Sequence, residues 1–174
     1  MALLDEYDEL VLRKISSFFE GTQEKKLGTE LFEFCSSLVP SVNVDVLLVN
    51  SLGEFLLTWR DDRYYGPGWH IPGGVIRHKE TISNRIRAVM QLECGLNERI
   101  CTPIQPDLLQ EVFNEDRCVR GHFVSLLYTI RIAEETVLNL KLGSERKFFS
   151  KVPDNFITQH QKLYKSYLHE NFCS

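Results

Sequence analysis

Scarcities in this chain of 174 residues remove several classes of function before any motif is read. Positive charge is not in surplus: the formal net charge is −4 and no stretch gathers lysine and arginine into a patch, so binding to nucleic acid is not expected. No apolar run is long enough to span a bilayer, so no membrane partner is expected either. The first residues, MALLDEYDEL, put acidic side chains where a secretory leader needs basic ones, and a cytoplasmic location follows as the expectation. Cys35, Cys94, Cys101, Cys118 and Cys173 are odd in number, widely spaced and free of any C-x-x-C pair, which argues for reduced thiols rather than a disulfide frame or a zinc site. Internal repeats and low-complexity segments are also lacking.

What is present suffices for one core: 43% of the residues are hydrophobic, enough for a single ordinary domain with a short appendage. Leu3, Leu4, Tyr7, Leu10, Val11, Ile15, Phe18 and Phe19 recur at three- and four-residue intervals, predicting an amphipathic helix that ends near Gly21. The polar stretch GTQEKKLG follows, so residues 1–28 read as a helical extension and linker, and 29–174 as the main domain. The apolar stripe is expected to pack on that domain or across a homodimer interface. Leu31 to Leu38 suggests a short helix. VNVDVLLV then alternates before becoming wholly apolar, and the turn-like Asn50-Ser51-Leu52-Gly53 joins it to EFLLTWR as a β-hairpin. The segment DDRYYGPGWHIPGG reads as a shaped loop, and Ile82, Ile86, Val89, Met90 and Glu93 share one side of a helix that Gly95 would end. LLQEVF, HFVSLLYTIRI and KFFSKV read as strands, and Asp154 is placed to cap a last helix reaching His169. Strands around a central helix, with helices at both ends, predict an α+β sandwich.

The stretch Gly74 to Leu96 resembles the Nudix box, G-x5-E-x7-R-E-U-x-E-E-x-G-U with U aliphatic. Gly74, Glu80, Glu93, Gly95 and Leu96 match in register, and Trp69-x-x-Pro72-Gly73-Gly74 resembles what precedes that box. Ala88 stands where the box has arginine, and Val89 and Leu92 where it has two of its glutamates. The GDP-mannose mannosyl hydrolase branch also lacks those two glutamates and keeps the one matched by Glu93. The likeness to that branch runs from about residue 30 to 170, through Gly53-Glu54-Phe55-Leu56-Leu57, Arg60, His122 and Asp154-Asn155. It implies the Nudix fold, an α/β/α sandwich with a mixed central sheet, to which the N-terminal helix is an addition.

The resemblance further implies a nucleoside diphosphate sugar as partner and Mg²⁺, or Mn²⁺, as cofactor. Glu93 and the backbone carbonyl of Gly73 would hold the ion, with Glu80 a further candidate ligand, and the ion would prepare the diphosphate to leave. Arg60, at the end of a strand beside the glycine loop, would offset charge on the departing phosphate. Asp45, a carboxylate in an apolar strand, would face the substrate, since such a group is costly to bury unless it is paired or solvated. Tyr64, Tyr65 and Trp69 are candidates to stack on a base or a sugar, and His122 to bind substrate.

Each candidate has a plainer alternative. Glu93 could be a solvated helix residue, Arg60 half of a surface ion pair, Asp45 a structural partner of an arginine, and Glu80 a helix-start residue favoured by the dipole. The aromatic residues could brace their loop, and His122 could be a hydrogen-bonded strand-end histidine. Val75, Phe123, Leu142 and Gly143 stand where the branch has an arginine, a tyrosine, a metal-binding glutamine and a general-base histidine. Three functions therefore remain: attack of water on the sugar carbon of a nucleotide sugar, attack on phosphorus in another nucleoside diphosphate, or a Nudix-fold binding module without catalysis.

Overall fold

The computed structural model of the chain describes residues 6–17, 29–96, 103–117 and 119–173. Leu3, Leu4, Phe18, Phe19, the proposed linker, Cys101 and Cys118 lie outside them. Strand β1 (Ser41–Val49) organises the rest. Its sequence stops alternating at Val44 because both faces are covered from there on: Val44, Val46, Leu47, Leu48 and Val49 are fully buried. One face carries Val44, Val46 and Leu48 against Ile86, Val89 and Met90 of helix α3 (Ile82–Leu92), while Leu47 and Val49 meet Leu163, Tyr164 and Leu168 of helix α5 (Thr158–Phe172) on the other. Each such side chain contributes roughly 1.5–3 kcal/mol by leaving water. The result is a mixed sheet between helices, as the sequence predicts.

β1 runs parallel to β6 (His122–Arg131), which pairs antiparallel with β5 (Leu108–Phe113). On its other side β1 meets β2 (Phe55–Arg60), but only at Val49↔Phe55. Past that pair the hairpin opens into a fork, and the glycine-rich segment fills it with two three-residue strands. β3 (Gly68–His70) pairs with β2 through Thr58↔His70, and β4 (Gly73–Val75) pairs with β1 through Asp45↔Gly73. Between them the Pro72 carbonyl accepts the Val46 N–H at 2.8 Å. β7 (Arg146–Phe149) borders the far edge of β2.

α3 starts where the Thr81 hydroxyl accepts the Asn84 N–H at 3.2 Å. It stops at Glu93, its C-cap, because Gly95 takes a φ of +74°, which lets the Leu96 N–H reach the Met90 carbonyl at 2.9 Å. α5 begins later than its sequence suggests and without a side-chain cap, so Asp154 does not cap it. Trp69 holds the approaching chain extended, its N–H donating to the Asn155 carbonyl and its carbonyl accepting from the Ile157 N–H, each at 2.9 Å. α1 (Glu6–Ser17) and α2 (Thr29–Leu38) precede the sheet, and α4 (Glu134–Leu138) lies between β6 and β7. Leu10, Val11 and Leu12 of α1 are exposed. No helix among the described residues is long and apolar enough to cross a membrane.

Candidate functional site

Two carboxylates approach Gly73 from opposite sides of the sheet. Asp45 is 2% exposed and closed. One of its oxygens accepts the Asn43 amide at 2.8 Å, and the other accepts the Ser125 hydroxyl at 2.6 Å and the Tyr164 hydroxyl. Burial nevertheless raises the Asp45 pKa above the ordinary carboxylate value, against the pull of these bonds, and burial beside Asp45 raises that of Tyr164 well above a free phenol. Gly73 is required here for lack of a side chain: a Cβ on it would lie 1.9 Å from Asp45 Oδ1.

Glu93 is the open one, with its side chain 37% exposed. The Gly73 N–H is directed at it, 3.2 Å from Oε2, and His70 Nε2 lies 3.8 Å from the same oxygen. Arg146 of β7 donates from Nε to the Glu93 backbone carbonyl at 2.6 Å, pinning the end of the helix from which the carboxylate projects. His70 itself is 8% exposed, and its Nδ1 stands 2.8 Å from the Thr58 carbonyl. A carbonyl only accepts, so Nδ1 carries a proton and Nε2 is the nitrogen turned toward Glu93. Behind it His160 accepts the Ile71 N–H on Nδ1 at 3.1 Å; burial, with His70 and Arg60 nearby, holds its pKa well below that of free imidazole. Cys94, next to Glu93, is buried, and burial drives its thiol pKa up, so it supplies no thiolate.

Glu80 has another partner. Its Oε2 accepts from Arg85 Nε and from the Arg77 N–H, each at 2.9 Å, and Arg85 is 6% exposed under Gly74. Val89 is core, at 2% exposed, and Leu92 projects outward at 62%. Among the described residues no group of three His, Cys, Asp or Glu side chains could hold a metal ion. A divalent cation placed beside Gly73 would meet the carboxylate of Glu93, while Glu80 is held by Arg85 and Arg77.

The loop after β2 is built on stacked cations. Arg60 is paired with Asp62 and lies 5.4 Å from the centre of the Tyr65 ring, with Arg117 at 4.8 Å from that ring. Arg63 and Arg120 flank Tyr64 at 4.9 and 4.6 Å, and Glu33 of α2 accepts from both Arg63 and Tyr64. A cavity of about 320 Å³ is lined by Arg63, Tyr64, Arg117 and Val119. Trp69 is 7% exposed and packs edge-on against Trp59 and Phe149, which makes it a brace of the sheet and not an open stacking platform. His122 meets Glu111 at 2.9 Å and lines a separate surface depression together with Phe113 and residues of α2.

The structure thus gathers Gly73, Glu93 and His70, sets Asp45 behind them, and leaves Arg60, Tyr65 and His122 to the loops and strand ends around the sheet. His70, His160, Tyr164, Ser125 and Arg146 have no weight in the sequence reading. His70 carried a signal, since it occupies the Trp69-x-x-Pro72 interval; Tyr164 and Arg146 are brought in by chain pairings that no local pattern announces.

No family model matches the chain. Its fold is similar to that of a possible asymmetric diadenosine tetraphosphate hydrolase from Jonesia denitrificans, with a TM-score of 0.61, 17% identity and coverage of 79% of this chain and 99% of that one. A hydrolase of the Nudix family from Clostridium perfringens matches with a TM-score of 0.51 and 14% identity over 68% of this chain and 89% of the other. The bifunctional NMN adenylyltransferase/ADP ribose pyrophosphatase from Francisella tularensis, complexed with AMP and Mn ion, gives a TM-score of 0.57 and 18% identity over 93% of this chain, which spans 46% of that protein. The chain has the fold of the Nudix hydrolases.

Proposed function

We propose that the protein is a hydrolase of nucleoside diphosphate sugars of the GDP-mannose kind, in which water attacks C1 of the sugar and the nucleoside diphosphate departs. The observation that carries this reading is the single open carboxylate of Glu93 beside the Gly73 backbone, with Val89 and Leu92 in place of further acidic ligands. Glu93 and the backbone carbonyl of Gly73, not the N–H that donates to Glu93, would hold a Mg²⁺ or Mn²⁺ ion, which when bound neutralises the diphosphate and makes it a better leaving group. One ion suffices for that task, as a Lewis acid on the departing diphosphate. Arg117, across the Tyr65 ring from Arg60, would offer positive charge for the phosphates, and Arg60 would do so on leaving its ion pair with Asp62. Asp45 acts behind Gly73 as a support, its oxygens being taken by Asn43, Ser125 and Tyr164.

A second reading, a Nudix-fold module that binds a nucleotide without turnover, is favoured by one observation. The segment before β7 presents Leu142 and Gly143, and neither takes a proton. Turnover of a panel of GDP- and UDP-sugars with Mg²⁺ in oxygen-18 water separates the readings. Label in the released sugar is expected. Label in a phosphate would move the attack to phosphorus, and binding by calorimetry with no turnover would establish the module.

A further inference from the structure

We propose that His70 Nε2 is itself a ligand of the cation, so that with Glu93 it forms a mixed nitrogen–oxygen site that holds a transition ion, Mn²⁺ included, more tightly than Mg²⁺. The inference rests on the reading of Glu93 as the carboxylate of the cation. The Thr58 carbonyl takes the proton of Nδ1 at 2.8 Å, which leaves Nε2 to bear the lone pair of the neutral ring. A carbonyl or carboxylate on the far nitrogen is how a metal-bound histidine is commonly oriented. Thr58 Oγ1 stands 3.4 and 3.5 Å from the two ring nitrogens, too far for either to be a strong bond. The ring is also held in place, 8% exposed and edge-on to His160 with centroids 5.8 Å apart.

The distance to Glu93 is the decisive one. At 3.8 Å, Nε2 and Oε2 are beyond hydrogen-bond range. Two donors each about 2.1 Å from one ion stand roughly 3 to 4 Å apart, so the same spacing suits joint ligation. On α3 neither the buried Val89 nor the outward Leu92 offers an oxygen donor beside Glu93, and the β3 strand brings an imidazole there. Imidazole adds little for Mg²⁺, which demands oxygen, and more for transition ions. Glu80 has no part in this ligand set, being held by Arg85 and Arg77.

Pulsed electron paramagnetic resonance of Mn²⁺ added alone to the full chain tests the assignment without reference to activity. A nitrogen-14 coupling of a directly bound imidazole is expected in the wild type and after His78→Ala or His122→Ala. His70→Ala should remove it, lower Mn²⁺ affinity at least about tenfold and leave Mg²⁺ affinity within about twofold. The wild-type spectrum decides even if the His70 variant does not fold. Mn²⁺ bound with oxygen neighbours alone, or not bound at all, overturns the inference, while Mg²⁺-dependent turnover would still stand. Nitrogen coupling without turnover of any nucleotide sugar would leave the ion site and remove the proposed reaction.

Discussion

Asp45 and Glu93 reach the same glycine from opposite faces of one sheet, and the contrast between them separates support from chemistry. Asp45 is enclosed by three hydrogen-bond donors and an apolar wall; Glu93 keeps one backbone donor, a neighbouring imidazole and an opening to solvent. As residues in a sequence, both are acidic groups in apolar company. Only their partners distinguish them, and those partners come from β1, β6 and α5 for Asp45 and from β3 and β4 for Glu93.

The sharpest way to break this contrast is to fill the space that the two sides share. Gly73→Ala drives a methyl group into Asp45 Oδ1 and should cost about 3 kcal/mol or more, or prevent folding. Gly74→Ala meets nothing nearer than Arg85 Nη1 at 3.4 Å and should stay within about 1 kcal/mol of wild type. Urea denaturation of the pair measures the difference, and equal losses would mean that Asp45 does not press on Gly73.

Next in size is removal of each carboxylate in turn. Asp45→Ala leaves the Ser125 and Tyr164 hydroxyls with only each other, takes the acceptor from the Asn43 amide and should cost about 2–3 kcal/mol. Glu93→Gln, at a half-open helix end, should change stability by less than about 0.5 kcal/mol. Thermal melts showing the reverse order would assign the supporting role to Glu93.

The core behind the site gives a smaller, pH-dependent effect. His160 has its folded pKa depressed by burial, so between 6.5 and that lower value the unfolded chain binds one proton more than the folded chain. Its contribution is present above pH 6.5 and is lost as the pH falls, by at most about 1.4 kcal/mol per pH unit. Asp45, with a raised pKa, acts with the opposite sign, so the comparison must be made against a variant at each pH. His160→Asn keeps an acceptor for the Ile71 N–H and should flatten the decline between pH 7 and 5.5. Parallel stability curves would show that His160 is not buried neutral.

Much of this arrangement was legible in the residues. The apolar second half of β1, the amphipathic α3 and the left-handed Gly95 each follow from a local rule, and the box register placed Glu93 opposite Gly73. The forked hairpin was not legible, because three-residue strands rich in glycine and proline show no alternation and read as loop. The fate of Glu80 is hidden for a different reason: it precedes α3, and only the folded loop brings it onto Arg85, buried in the first turn of that helix. Asp154 looked like a cap because its residue type suits one, but the bridge between Trp69 and Asn155–Ile157 delays the helix. The sequence does not single out His70, because a lone histidine carries meaning only once Thr58 and Glu93 are beside it.

On the proposed function the open side of Gly73 binds the cation and the closed side does not. Titration of Mn²⁺ followed by water-proton relaxation, on wild type, Glu93→Gln and Asp45→Asn, addresses it most directly. The prediction is binding to the wild type and to every folded fraction of Asp45→Asn, and none to a fully folded Glu93→Gln. Equal binding by wild type and Glu93→Gln would contradict it.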